Sequence, residues 1–533
     1  MRVNFIGNTS NLHYRLAKNL RKFGIETHLY YSQNSDPQNF PQWDEPDLLK
    51  NMPDWLHPYS VEQIGRYPHR SLPSAFAREI AECDILHVED MGVLWASQTG
   101  KPFVWDPYGW DLQFFPFYSY WQSYWQFINH PEYLLAPIAY RRAIAKASAI
   151  VYGIWYRPLA NGFKLINQLL PHDRFIHSIS FSIDVDRFSS DKSKSAQSLL
   201  NELGIDFDVK GLVIYHPTRM MFSSKSYLDK GNDRLFRALA KFKKAGHEFT
   251  LILGERGIPD EQIAKELLKD LEIDNRVVWL PKMEVYKLVE WFRCADIGAD
   301  QFAGGALGLV SFDTMACGTP LFSYMQLESD QETFWPPSSV YEELPPIINV
   351  STEEEIFKAL DYYSHHKDEL LLLGEKSREW VVNNMSESIV ARKYLTLYNS
   401  ILAKEAIEKK SRINFSVPLA NYDSEIQQVL HNVFKLIDKK DMENAKSTLI
   451  NALDLAPDNS ELIKMMVCLV IFLHGYKPAL AVLQYAIEIL PDEPGLVSTL
   501  EQIRAKASWI ILLRAIKYHR GLMRIICQIV ATH

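Results

Sequence analysis

The sequence predicts two tandem doubly wound α/β domains followed by an all-α domain, and three observations carry that prediction. From residue 1 to about 190 short apolar runs alternate with helical patterns, the rhythm of a parallel sheet wound with helices. The same rhythm restarts at Gly211 and continues to about residue 405. Beyond about residue 415 every pattern is helical. A chain of 533 residues, 47% of them hydrophobic, has room for roughly three or four domains. Its 12% aromatic and 23% charged residues exclude a disordered chain.

In the first unit Val3 to Ile6 reads as a buried strand. Leu12, Leu16, Leu20 and Phe23 fall on one helical stripe that stops at Gly24 as a C-cap, and a strand resumes around Thr27 to Tyr31. The Pro-rich, polar stretch from Ser32 to Pro73 reads as a long loop or insertion. Further strands are expected at Ile85 to Val88, Phe103 to Trp105 and Ala149 to Tyr152. In the second unit GLVIYHPTR runs from strand to loop, a helix follows from about Asn232 to Ala245, and FTLILGERG supplies a strand ending in glycine. RVVWLP and ADIGAD add two more, and FDTMACGTPLFSY reads as a helix, a capping Gly318 and a fifth strand. The spacer SFSIDVDRFSS, residues 180–190, is expected to be the hinge of a cleft that the ends of both sheets face.

In the helical part Ala445, Leu449, Ala452 and Pro457 recur 34 residues later as Ala479, Leu483, Ala486 and Pro491. That is the period of tetratricopeptide repeats, and such repeats bind protein partners. The tail from Ser508 to His533 combines apolar residues with Arg514, Lys517, Arg520 and Arg524 at helical spacing. It reads equally as an amphipathic segment on the inner face of a membrane and as a last repeat helix. The expected boundaries are 1–190, 191–405, 416–505 and 506–533.

The net charge of −8 argues against nucleic acid as a partner, although residues 504–533 carry six basic residues and no acid. The five cysteines are scattered, without a C-x-x-C pair, so neither a disulfide framework nor a zinc site is expected. MRVNFIGNTS lacks the apolar stretch of a signal peptide, and no window reaches the ~18 apolar residues of a spanning helix. A reducing cytoplasm, with the tail as a peripheral membrane contact, fits these features.

FDTMACGTPLFSY resembles the donor-binding helix of glycosyltransferase family 4, written E-A-M-A-C-G-T-P-V, and SIDVDRF resembles that family's N-G-V-D-x-x-x-F. The resemblance covers residues 1 to about 405. It implies a GT-B fold of two Rossmann-like domains and retaining transfer of a sugar from a nucleotide-sugar. The resemblance further implies that no metal is held by carboxylates and that no cofactor is needed, the nucleotide-sugar being itself a substrate.

A helix N-terminus with free amides and a positive dipole end is a seat for a diphosphate. Gly304, Gly305 and Gly308 would let phosphate and sugar oxygens approach the backbone, next to the amides of Leu309 and Val310; the plainer alternative is a glycine-rich loop before a core helix. The family's two glutamates, eight positions apart, fall here on Gly305 and Asp313. Asp313 can accept ribose hydroxyls, whereas Gly305 is a departure. The family's Arg, loop, Lys-Gly pattern matches Arg219 and Lys230-Gly231, with Lys225 as a competitor; these cations would stabilise the departing diphosphate. The family's H-G-x-D string is PYGWD here, so Tyr108 replaces a histidine while Gly109 and Asp111 remain. Tyr108 can donate to a sugar hydroxyl but is a poor base near neutral pH. His87 is either a second cleft residue or a satisfied core histidine. Asp184 and Asp186 form a D-x-D string in the hinge, where capping is the expected role. GNTSNL fails the dinucleotide fingerprint, and the aromatic run of residues 114–127 reads as an acceptor groove, a lipid contact or ordinary helix packing.

The reading is a glycosyltransferase moving a hexose-type sugar to a glycan, lipid-linked or protein acceptor, in a setting such as surface polysaccharide assembly. Two rivals stand beside it: a catalytically idle scaffold with interaction repeats, motivated by Gly305 and Tyr108, and a phosphorylase or epimerase on the same fold.

Overall fold

The computed structural model describes residues 1–64, 72–117, 136–151, 176–177, 179–223, 229–327, 341, 343–408, 423–439, 441–456, 459–474 and scattered positions from 480 to 500. Two parallel sheets organise the first 350 residues. The first runs β3-β2-β1-β4-β5-β6-β7, with β1 Arg2–Ile6, β2 Glu26–Ser32, β3 Leu56–Tyr59, β4 Ile85–Val88, β5 Phe103–Trp105, β6 Ala149–Val151 and β7 Ile176–His177. The second runs β10-β9-β8-β11-β12-β13, with β8 Leu212–His216, β9 Phe249–Gly254, β10 Val277–Leu280, β11 Ile297–Ala299, β12 Leu321–Ser323 and β13 Ile348–Asn349. Helices cover both faces, so central strands such as LVIYH are buried along their whole length, as a parallel sheet requires.

The expected elements form, with four differences. Phe23 belongs to the cap rather than the apolar stripe: the helix Leu12–Lys22 ends just before it, and its ring is 38% exposed beneath the Arg392 guanidinium. The insertion of residues 32–73 is not all loop, because LHPY forms β3 at the sheet edge. Pro58 hid it, and an edge is where a strand tolerates a residue without an N–H. β7 and β13, each two residues long, carried no periodicity to read.

The chain crosses between the domains twice, and the crossings meet where Ile183 pairs with Ser386. Asp184 Oδ1 accepts from the Arg187 amide at 3.0 Å, the capping role expected of the hinge aspartate. After the second crossing the helix Glu387–Glu408 returns to the first domain. It buries Val390, Ala391, Tyr394, Leu397, Tyr398 and Ile401 in one cluster with Val3, Phe5 and Ile85.

Helices Asp423–Asp438, Met442–Leu455 and Ser460–His474 follow. Ala445, Leu449, Ala452, Leu483 and Ala486 are all buried in their shared core. Ile138 of the first domain joins that core, and Arg141 Nη2 donates to the Asp454 carbonyl at 2.7 Å. Pro457, Ala479, Pro491 and the tail 506–533 lie outside the described residues. So do Lys225 and most of the aromatic run. Among the described residues no helix is long and apolar enough to cross a membrane.

Candidate functional site

Strand order reverses around β8, with β9 on one side and β11 on the other, and a parallel sheet binds ligands outside its carboxyl ends at such a reversal. Thr218, just past β8, donates to Asp300 Oδ1 at 2.7 Å, and Ser311 donates to Asp300 Oδ2 at 2.6 Å. Asp300 therefore ties the exit of β11 to the exit of β8 and to the first turn of the helix Leu309–Ala316.

Arg219 stands exposed beside this tie, and Lys230 reaches the same place from the far end of the loop. Lys230 Nζ donates to Gln301 Oε1 at 2.5 Å, and its carbonyl accepts from the Phe302 amide at 2.7 Å. Gly231 makes that approach feasible: its φ is +65°, and a Cβ would lie 3.2 Å from Phe302 Cβ. Burial lowers the Lys230 pKa and the neighbouring Arg219 charge lowers it further, while Asp300 opposes both.

Gly304 and Gly305 form the turn before the helix. Gly305 has φ +75° and its carbonyl accepts from the Gln326 amide at 3.0 Å, so the position needs glycine for backbone reasons. Gly308 is the N-cap, and the first turn over Leu309 and Val310 carries no side-chain cap, leaving amides without intrahelical partners. Asp313, one turn on, is buried with Oδ1 unpartnered. Burial raises its pKa to about 7, against the pull of Arg15. Arg15 comes from the first domain, where it pairs with Asp44 of the insertion at 2.6 Å. Leu12 and Leu307 share one core cluster, so the glycine loop packs against the first domain.

Tyr108 and Asp111 lie elsewhere. Tyr108 donates to Asp106 Oδ2 at 2.9 Å, as does Tyr394 from the returning helix. Asp111 is buried and accepts from the amides of Asp90, Gly109 and Leu112 at 3.0–3.1 Å, which makes it a cap; burial raises its pKa to about 6. His87 is a satisfied core histidine, stacked on Phe5 and bonded to Tyr398 and Asp106. His13, His87 and Asp106 bring three potential metal-ligand atoms within 4.8 Å of one another, but Asp106 Oδ2 already accepts from two tyrosines and His87. A narrow pocket lined by Tyr108, Asp106, Tyr394, Ser180 and Ser182 opens beside the cluster.

Of the residues singled out in the sequence, Arg219, Lys230, the three glycines, Leu309, Val310 and Asp313 lie on the loops and helix beside β8 and β11, and Tyr108 with Asp111 lies in the first domain. Sequence reasoning missed Asp300, Gln301 and Arg256. The available signal was position: Asp300 directly follows β11, and Arg256 lies two residues past the glycine that ends β9.

No protein-family model matches the chain. Among solved structures, a glycosyltransferase from Rickettsia africae superposes with a TM-score of 0.51 at 17% identity, covering 75% of this chain and 98% of that one. The Anabaena protein HepE, crystallised with UDP and glucose, gives 0.50 at 15% identity over 75% and 100% of the two chains. The chain has a GT-B fold. In sequence it is similar to the D-inositol 3-phosphate glycosyltransferases of Pseudarthrobacter chlorophenolicus, 31% identical over 105 residues, and Xylanimonas cellulosilytica, 29% identical over 152 residues. These matches cover 19% and 27% of this chain and 25% and 34% of those relatives, so the chain spans about a quarter to a third of the curated relatives it matches.

Proposed function

We propose that this protein is a glycosyltransferase that binds a nucleotide-sugar in the second domain and transfers the sugar, with retention, to a glycan, lipid-linked or protein acceptor held by the first. One observation carries the reading: Arg219 and Lys230, an uncapped helix N-terminus and the unpartnered Asp313 carboxyl oxygen converge where the strand order reverses. Cations and amides suit a diphosphate, and an orphaned acceptor suits a sugar hydroxyl. The names of the similar proteins, one crystallised with UDP and glucose, support the same class of donor.

Arg219 and Lys230 hold the diphosphate and stabilise the charge that gathers on it as the sugar leaves. Tyr108 and the pocket beside it face the acceptor, with Asp111 fixing the turn that carries Tyr108. Surface polysaccharide assembly in the cytoplasm is the proposed setting, with the basic tail on anionic lipid and the helical domain docking a protein partner. A thermal-shift screen of nucleotide-sugars identifies the donor, since a ligand at 100 times its Kd adds ~2.7 kcal/mol of stability. Arg219→Ala and Lys230→Ala should then each lower turnover by ~10²-fold or more. Near-normal rates in both folded variants would discard the assignment. Donor binding without turnover would identify an idle scaffold, and free sugar phosphate or an isomerised donor would identify a phosphorylase or epimerase.

A further inference from the structure

The crevice holds a third cation. Arg256 lies in the loop that leaves β9, the strand beside β8 opposite β11. Its Nη2 donates to the Pro217 carbonyl at 3.0 Å, which anchors the guanidinium over the exit of β8, two residues before Arg219. The loop that carries it is fixed as well: Glu261 accepts from the Arg256 amide at 2.6 Å and from the Gly257 amide at 3.0 Å.

That anchoring uses up the nearby acids. Glu261 is occupied by two backbone amides, and both oxygens of Asp300 are taken by hydroxyls. Among the described residues no ion pair joins Arg256 or Arg219 to a carboxylate, although Glu261 and Asp300 lie near enough to act on Arg256. The side chains of both reach solvent in the crevice. Although Arg256 is solvent-exposed, desolvation by neighbouring groups lowers its pKa and the Arg219 charge lowers it further, against Tyr215, Glu261 and Asp300; Arg219 acts in the same direction on Lys230. Cations held close enough to repel one another, without an ion-paired partner for either arginine, form a field that an anion would relieve.

We propose that Arg256 is a specificity-determining residue for the nucleoside diphosphate, binding the phosphate group next to the sugar. The proposal rests on the donor-site reading above. When the bond between the anomeric carbon and that phosphate's oxygen breaks, its electron pair stays on the oxygen. The acceptor hydroxyl forms the new bond to carbon and gives its proton to the same oxygen, so the site meets its greatest negative charge as the sugar departs. A guanidinium fixed by Pro217 and the Glu261-braced loop meets that charge without reorganising.

The test is calorimetric titration of the full chain with the mono- and diphosphates of uridine, adenosine and guanosine, for the unsubstituted protein and for Arg256→Gln, Arg256→Lys and Arg219→Ala. Arg256→Gln removes the charge and keeps a polar side chain, two bonds shorter, at the position. It should weaken the diphosphate by about 10- to 100-fold and the monophosphate of the same base by less than about threefold, with Arg256→Lys recovering part of the loss. In turnover assays kcat should fall by a larger factor than KM rises. Equal losses for mono- and diphosphate, or none, would overturn the proposal. If Arg219→Ala loses diphosphate affinity and Arg256→Gln does not, this inference alone fails. If the unsubstituted protein binds no nucleoside diphosphate, the donor-site reading fails with it.

Discussion

Asp313 buries a carboxyl oxygen that no described group satisfies, and burial lifts its pKa to about 7. The ionised carboxylate is the stronger acceptor of ribose hydroxyls. As pH rises through about 7 the group loses its proton, so nucleoside affinity should increase between about pH 6 and pH 8. Asp313→Asn should flatten that profile and weaken binding by ~1–3 kcal/mol; an unchanged profile would move the ribose contact elsewhere. His13 offers a test of stability at the same scale. It is fully buried, with Nδ1 on the Gly7 carbonyl and Nε2 unpartnered, and desolvation lowers its pKa to about 3. The unfolded chain takes up a proton below ~6.5 while the folded chain resists until about 3. Stability is therefore lost as pH falls through that window, at up to ~1.4 kcal/mol per pH unit. His13→Phe should shrink the stability difference between pH 7.5 and pH 5 by ~2 kcal/mol in urea unfolding. A slope identical to that of the unsubstituted protein would show that His13 titrates normally.

Among the elements, the turn Gly304–Gly308 and the returning helix Glu387–Glu408 do most to shape the cleft. Gly305 sits at φ +75° with Gln326 Cβ only 3.1 Å from where a Cβ would be. Gly305→Ala should lower stability by ~1–2 kcal/mol through the left-handed backbone and reduce diphosphate affinity by tilting the amides of Leu309 and Val310. Melting curves with and without ligand separate the two effects; a variant as stable as the parent would mean that the turn relaxes freely. The family pattern places a glutamate at this position. The turn explains glycine here, because any side chain would meet Gln326. The returning helix brings Tyr394 and Tyr398 to Asp106 and His87, so hydroxyls more than 280 positions away in sequence satisfy a buried cluster of the first domain. Tyr394→Phe should cost ~1–3 kcal/mol by removing one donor from a buried carboxylate.

For the whole molecule, the two sheet units and the helical part that follows share surfaces. The insertion of the first domain reaches the second, where Lys282 stands over the Trp43 ring at 5.6 Å, and the helical domain docks through Ile138 and Arg141. Ile138→Asp would place a charge within that apolar contact, which is strongly unfavourable. The expected result in calorimetry is a separate, earlier transition for the helical domain while the two sheets melt as before. Coincident melting would show that docking does not depend on this contact.

By itself the sequence determined the alternation of strand and helix, the restart at Gly211 and the helical C-terminal part, because these follow from local periodicity and punctuation by glycine and proline. It also singled out the glycine turn, Arg219, Lys230 and Asp313 as candidates, since each lies within a few residues of a strand or helix end that the pattern marks. Tertiary structure decided the rest. β3 exists because a sheet edge accepts Pro58, and Phe23 is exposed because the helix ends one residue early. Whether His87 faces a cleft or a core depended on Tyr398, and whether Asp111 meets substrate or caps a turn depended on the fold of the loop around it. Arg256 stands near Arg219 only because β9 lies beside β8. Periodicity records which face of an element is apolar, but strand order sets which element ends become neighbours, and long-range pairing leaves no periodic trace in the chain.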